Sequence, residues 1–131
     1  MRPEALDEAR EWLERAELDL QLADRALRVP PALTEGAAYH AQQAAEKALK
    51  AFLAAHDEPF PLTHNLNRLL PLCEAIDSDF GQFTTAARSL VPFATEFRYP
   101  GGPVEPALAD AENGLQDAAE MVRFTRRRLG R

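Results

Sequence analysis

The chain has 131 residues, 46% of them apolar and 27% charged, and a formal net charge of −6. That length suits one domain with a real core and is short for two. A net negative charge argues against broad, sequence-independent nucleic-acid binding, which depends on neutralising phosphates. No apolar run reaches the roughly 18 residues of a bilayer span, and the acidic, amphipathic start lacks a signal-peptide pattern. A lone cysteine, Cys73, allows neither an internal disulfide nor a cysteine metal cluster. The reading is a cytoplasmic protein without a membrane segment.

Pro3 to about Arg28 reads as a first helix, with Pro3 suited to its first turn and Glu4, Asp7 and Glu8 at the positive end of its dipole. Leu6, Leu13, Leu20 and Leu27 repeat at seven, with Ala9, Ala16 and Ala23 three residues after the first three leucines. This is a seam of alternating large and small residues. Trp12 lies outside the seam and reads as flanking core or subunit contact rather than a cofactor platform. Pro31 stops the helix by denying helical geometry to the residue before it.

Thr34 is the expected N-cap of a second helix reaching about Ala55, and the helix formers of Ala37 to Leu53 (AAYHAQQAAEKALKAFL) contain no Gly, Pro or β-branched residue. Ala41, Ala48 and Ala55 repeat at seven, so a neighbouring helix can approach to about 8 Å. Round the same cylinder lie Tyr39, His40, Gln43, Glu46, Lys47 and Lys50. Glu46 and Lys50 are spaced for an i, i+4 ion pair, worth about 0.3–0.5 kcal/mol on an exposed surface.

Thr63 or Asn65 can cap a third helix carrying Leu66, Leu69, Leu70, Cys73 and Ile76, which Pro71 should kink or delay. Asp77-Ser78-Asp79 caps a fourth, where Phe80, Phe83, Ala87, Leu90, Ala94 and Phe97 share one face and Pro92 adds a bend. The Arg98–Pro103 segment is the strongest break. A fifth helix from about Glu105 to Leu129 repeats the scheme of the first: Leu108, Leu115, Val122 and Leu129 at one heptad position, Ala111, Ala118 and Thr125 at the other. Gly114 costs that helix about 1 kcal/mol against alanine and marks a close contact. With no period-two alternation, the fold expected is all-α: an antiparallel up-and-down helical bundle of three long helices plus two shorter bent ones, forming one domain over 1–131.

Common catalytic signatures are absent: no phosphate-binding glycine loop, no HExxH, no paired cysteines. His40, His56 and His64 are too dispersed to make a metal site by themselves, and no metal is expected. What remains is a polar constellation of His40, Gln43, Glu46 and Lys47 on the second helix, with Thr63-His64-Asn65 and Arg98-Tyr99 at element ends. Each member also has a structural reading: Tyr39 packing, Gln43 bridging helices, Glu46 paired with Arg98, His64 helping to cap the third helix. Their clustering suggests a shared anion or nucleotide site. The tail Arg123–Arg131 holds five arginines and no acid; it complements a helix dipole or forms a phosphate-facing patch.

The run Tyr39-His40-Ala41-Gln42-Gln43-Ala44-Ala45-Glu46-Lys47-Ala48-Leu49-Lys50-Ala51, followed by Thr63-His64-Asn65-Leu66 and Arg98-Tyr99-Pro100, resembles the HEPN (higher eukaryotes and prokaryotes nucleotide-binding) domain family in order and spacing. The resemblance implies an all-α bundle, homodimeric or higher. It also implies a partner, a minimal nucleotidyltransferase in a toxin–antitoxin-like pair, and a nucleotide ligand at His40, Gln43, Glu46, Lys47, His64, Arg98 and Tyr99. Many members are ribonucleases carrying an Arg-x(4–6)-His motif. Here the positions that would hold the arginine are Leu33, Thr34 and Glu35 before His40, Leu49, Lys50 and Ala51 before His56, and Asp57, Glu58 and Pro59 before His64. No histidine follows Arg98 at any such spacing. Without an acid–base group placed beside the cation, metal-independent RNA cleavage lacks its main device. The expectation is therefore a non-catalytic binding and interaction module. A divergent ribonuclease toxin and a purely structural subunit are the alternatives.

Overall fold

The computed structural model describes residues 1–97, 100–101 and 105–131. Among them are five α-helices and no strand: α1 (Pro3–Arg28), α2 (Thr34–Ala55), α3 (Leu66–Ile76), α4 (Thr84–Leu90) and α5 (Leu108–Leu129). The three long helices form the bundle, with α2 between α1 and α5. Arg2, just before α1, donates from Nε to Asp57, just beyond α2, at 2.9 Å, so these two helices run antiparallel. Arg126 Nε reaches Glu17 across α5 and α1 at 2.9 Å.

The alanine positions of the heptad seams become the core, whereas Leu108 is 48% exposed and Leu6, Leu20, Leu27 and Leu115 are only partly buried. Ala9, Ala16 and Ala23 of α1, Ala41, Ala45, Ala48 and Ala55 of α2, and Ala111 and Ala118 of α5 are all fully buried. Alanine at these positions keeps the helix cylinders thin, so backbones rather than long side chains set the spacing. Larger apolar groups fill the end of the bundle near the C-termini of α2 and α5. There Phe80 packs against Phe52 at 4.5 Å and Phe124 at 4.9 Å between ring centroids. Cys73 is buried there too; its Sγ lies 3.5 Å from the Leu49 carbonyl, and burial pushes the thiol well above its ordinary range.

Helix ends follow local chemistry. Pro3 occupies the first turn of α1, and Asn65 caps α3 by accepting from the Asn67 amide at 2.9 Å. Asp57 takes the left-handed conformation (φ 54°) after α2, while the Asp57 and Glu58 amides donate back to Ala54 and Leu53. That pattern satisfies two of the orphan carbonyls at the helix end. Gly130 (φ 69°) closes α5 in the same way.

Several expectations are corrected. Thr34 is not the N-cap of α2: Leu33 holds that position, and the Thr34 hydroxyl is buried without a hydrogen-bond partner. The cause is the connector, whose Leu33 amide is tied to the Ala26 carbonyl at 2.8 Å and so fixes where α2 begins. Pro71 does not delay α3, which passes through it; the residue whose carbonyl loses a donor there, Asn67, is exposed. Ile76 is exposed rather than buried. The fourth helix is composite, with 3₁₀ turns at Ser78–Phe83 and Val91–Ala94 on either side of α4. A spacing of three, as in Phe80 and Phe83, serves a 3₁₀ turn as well as an α-helix. α5 starts at Leu108, after Pro106, rather than at Glu105. Gly114 does mark a close contact: a Cβ there would lie 2.8 Å from Phe93 Cε2.

If the alanine seam sets helix spacing, then Ala48→Leu should lower stability by about 1–3 kcal/mol, the usual cost of overpacking. Urea denaturation followed by far-UV circular dichroism measures it. An unchanged midpoint would show that the seam has slack.

Candidate functional site

His40 and Lys47 are seven residues apart on α2 and so lie on one face, two turns from each other. α1 runs past that face and presents Asp19, which is 5% exposed. Both oxygens of this one carboxylate are used. His40 Nδ1 lies 2.8 Å from Oδ1, and Lys47 Nζ donates to Oδ2 at 2.6 Å. A carboxylate only accepts, so His40 carries its hydrogen on Nδ1 and leaves Nε2 for another partner. The side chains of His40 and Lys47 remain 32% and 22% exposed, at the rim above the buried acid. Tyr39 meets the His40 ring edge-on, with centroids 5.3 Å apart.

A second group forms around Glu46, which is 2% exposed. Lys50 Nζ donates to its Oε2 at 2.9 Å, and His64 Nδ1 lies 2.9 Å from Oε1. Gln42 Nε2 donates to the His64 carbonyl at 2.8 Å and, more weakly, to Glu46 Oε1 at 3.3 Å. Gln43 Nε2 donates to Gln42 Oε1 at 2.7 Å. Lys50 is also held by aromatic faces, with Nζ 5.6 Å from the Trp12 ring centre and 5.9 Å from that of Phe60. Trp12 is thus a wall for Lys50 and meets Phe60 edge-on. His64 differs from the rest: its side chain is 73% exposed although Nδ1 is engaged.

The seven residues singled out in the sequence therefore divide. His40 and Lys47 share Asp19; Gln43, Glu46 and His64 belong to the second network; Arg98 and Tyr99 lie outside the described residues. Gln42, not Gln43, is the residue that bridges α2 to the segment before α3. Asn65, not His64, caps α3. The Glu46–Lys50 pair forms as expected but is buried, so it defines geometry more than it adds stability.

Asp19, Gln42 and Lys50 were not among the predicted ligand residues. Asp19 left a signal: Ala16, Asp19 and Ala23 are spaced three and four apart, which puts an acid on the apolar face of α1. A buried acid implies a cation opposite it.

A separate cleft lies elsewhere. It encloses about 600 Å³ between the Val91–Ala94 turn and α5, with Phe93, Phe97 and Gly114 at its base and Glu96, Asp110 and Asp117 at its edge. Burial and the nearby Glu120 hold the Asp117 carboxyl above its ordinary range. Its acids repel anions, so it does not compete as a phosphate site. Among the described residues no cluster of His, Cys, Asp and Glu has a metal-binding arrangement, and no helix is long and apolar enough to cross a membrane.

A helical bundle of this topology with a polar array on its central helix defines a class, and comparison gives the class a name. The HEPN domain profile matches residues 9–128, so the chain belongs to the HEPN domain family. Its fold is also similar to that of a solved structure, TT1696 from Thermus thermophilus, with a TM-score of 0.77 and 30% sequence identity. The alignment covers 92% of this chain and 97% of that one. No curated protein gives a significant sequence match.

Removing the shared carboxylate tests whether it organises this face. Asp19→Ala should cost about 1–3 kcal/mol, the range for a lost charge-assisted hydrogen bond. A double-mutant cycle with Lys47→Ala should show clear coupling in thermal denaturation. Additive effects would mean that the two residues do not act as a pair.

Proposed function

We propose that the protein is a non-catalytic nucleotide- or phosphate-binding and interaction module, self-associating and paired with a minimal nucleotidyltransferase in a toxin–antitoxin-like system. The observation that carries the ligand part is the pair of partly exposed side chains, His40 and Lys47, held at the rim by the buried Asp19. Side chains already fixed in place lose little freedom when a ligand arrives. The ammonium of Lys47 has two further N–H donors for phosphate oxygens, and His40 Nε2 can accept from a base or sugar N–H or O–H. His64 adds an exposed imidazole on the neighbouring network. The family to which the chain belongs, named for nucleotide binding, supports the choice of ligand, and the resemblance of its motifs supports the nucleotidyltransferase as partner.

Calorimetric titration with ATP, ADP and inorganic phosphate tests the ligand. Saturable binding is expected by millimolar concentration, weakened at least tenfold in Lys47→Ala while the helical circular dichroism spectrum is retained. A flat titration of the wild type sinks the nucleotide reading and leaves a structural partner subunit.

One observation favours a second reading, a divergent ribonuclease. His64 is exposed and backed by a buried carboxylate, which is how a general base is oriented. Expression without a partner should then arrest growth, and His64→Ala should relieve the arrest. Harmless expression of the wild type rejects this reading.

A further inference from the structure

The cleft between the Val91–Ala94 turn and α5 takes no part in either polar network, and its lining has a chemistry of its own. Its floor is aromatic. Phe93 and Phe97 lie with ring centroids 6.1 Å apart, and Phe93 rests against α5 because residue 114 is glycine, where a Cβ would come within 2.8 Å of the ring. Its rim is acidic on both sides, with Glu96 from the segment after the turn and Asp110 and Asp117 from α5. Among the described residues no cation lines it.

None of these three carboxylates has a hydrogen bond or ion pair among the described residues. That sets them apart from Asp19, Glu46, Asp77 and Asp79, each answered by a cation of the same chain. The helix dipole accounts for Asp110, in the first turn of α5. It accounts neither for Asp117, about two turns further in, nor for Glu96, which lies outside any helix. Burial and Glu120 raise the Asp117 carboxyl, so a cation in the cleft relieves a cost that the isolated chain carries.

An aromatic floor between acidic rims fits an apolar body that carries a cation at its end. Arginine and lysine have that form: the stem lies along a ring while the charged head reaches a carboxylate. Acids on both sides call for more than one such cation, and the rings between them for an apolar side chain. Asn113 and Gln116 also line the cleft, and each side-chain amide offers a donor and an acceptor, as a peptide backbone requires. The volume, about 600 Å³, lies within the usual range of ligand-holding clefts.

We infer that this cleft docks a short basic segment of a partner protein, in which arginine or lysine alternates with aromatic or aliphatic residues. The inference supplies a surface for the interaction part of the proposed function and rests on that part alone. Nucleic acid is repelled by the same three acids. A simple polyamine supplies cations without the apolar side chain that the rings call for.

Fluorescence polarisation of the full chain with a labelled synthetic peptide alternating arginine and phenylalanine tests the cleft. Saturable binding is expected, about tenfold tighter than for a peptide alternating arginine and serine. Glu96→Lys and Asp117→Lys should each weaken it about fivefold. Glu11→Lys, the same charge change on α1 outside the cleft, should leave it unchanged. Neither Glu96 nor Asp117 is buried, so the helical circular dichroism spectrum should persist in both variants. A flat titration of the wild type, equal weakening by all three reversals, or equal affinity for the serine peptide overturns the docking site. So does spermidine that displaces the peptide at equal concentration, which makes the cleft a small-cation site. A wild-type dimer that dissociates in Glu96→Lys and Asp117→Lys, read by analytical ultracentrifugation, gives the cleft to a second copy and overturns it too. ATP titrated into the same samples reads His40 and Lys47 independently: a flat ATP titration sinks the nucleotide site, a flat peptide titration the cleft.

Discussion

Close approach along alanine seams is the constraint from which the rest of this structure follows. With Ala41, Ala45, Ala48 and Ala55 fully buried on α2, and matching alanines on α1 and α5, the central helix is enclosed along most of its length. Enclosure leaves only the narrow rim at Tyr39, His40 and Lys47 for polar side chains. Gln42, Glu46 and Lys50 are therefore buried, and each must find a partner, because an unpaired polar group costs several times what a single hydrogen bond contributes. The network round Glu46 is a consequence of how thin the helices are.

That network bears more on geometry than on stability. A buried ion pair roughly breaks even against well-packed apolar groups, yet removing one member is costly. Glu46 fixes the direction of Lys50 and of His64, and Gln42 ties α2 to the segment before α3 through the His64 carbonyl. Asp19 acts likewise between α1 and α2. Each tie specifies how far one helix has slid along another, which apolar alanine seams specify poorly because one alanine resembles the next.

The fold was largely legible because heptad spacing survives in three long helices whatever surrounds them. What escaped was whatever depends on rotation or on a neighbour. Gln42 and Gln43 lie about 100° apart on a helix, and only the position of the His64 carbonyl decides which one bridges. Asp19 is separated from His40 by 21 residues in sequence, so its pairing belongs to the packing. The fourth helix misled because phenylalanines three apart serve a 3₁₀ turn and an α-helix equally. Thr34 misled because a capping residue works only if the backbone begins its helix there, and the Leu33 amide is already tied to Ala26.

Charge placement in α5 carries the last step. A helix gains from cations near its C-terminus and anions near its N-terminus, and that rule alone accounts for acids at Asp110 and Glu112 and arginines from Arg123 onward. The rule is indifferent to which side of the helix the charges occupy. Here the sides differ: Arg126 and Arg128 turn towards acids of α1 and of the turn after α3, whereas Arg123 and Arg127 turn to solvent in line with Glu112. Dipole compensation therefore explains the sequence order of the charges but not their segregation onto an outward face.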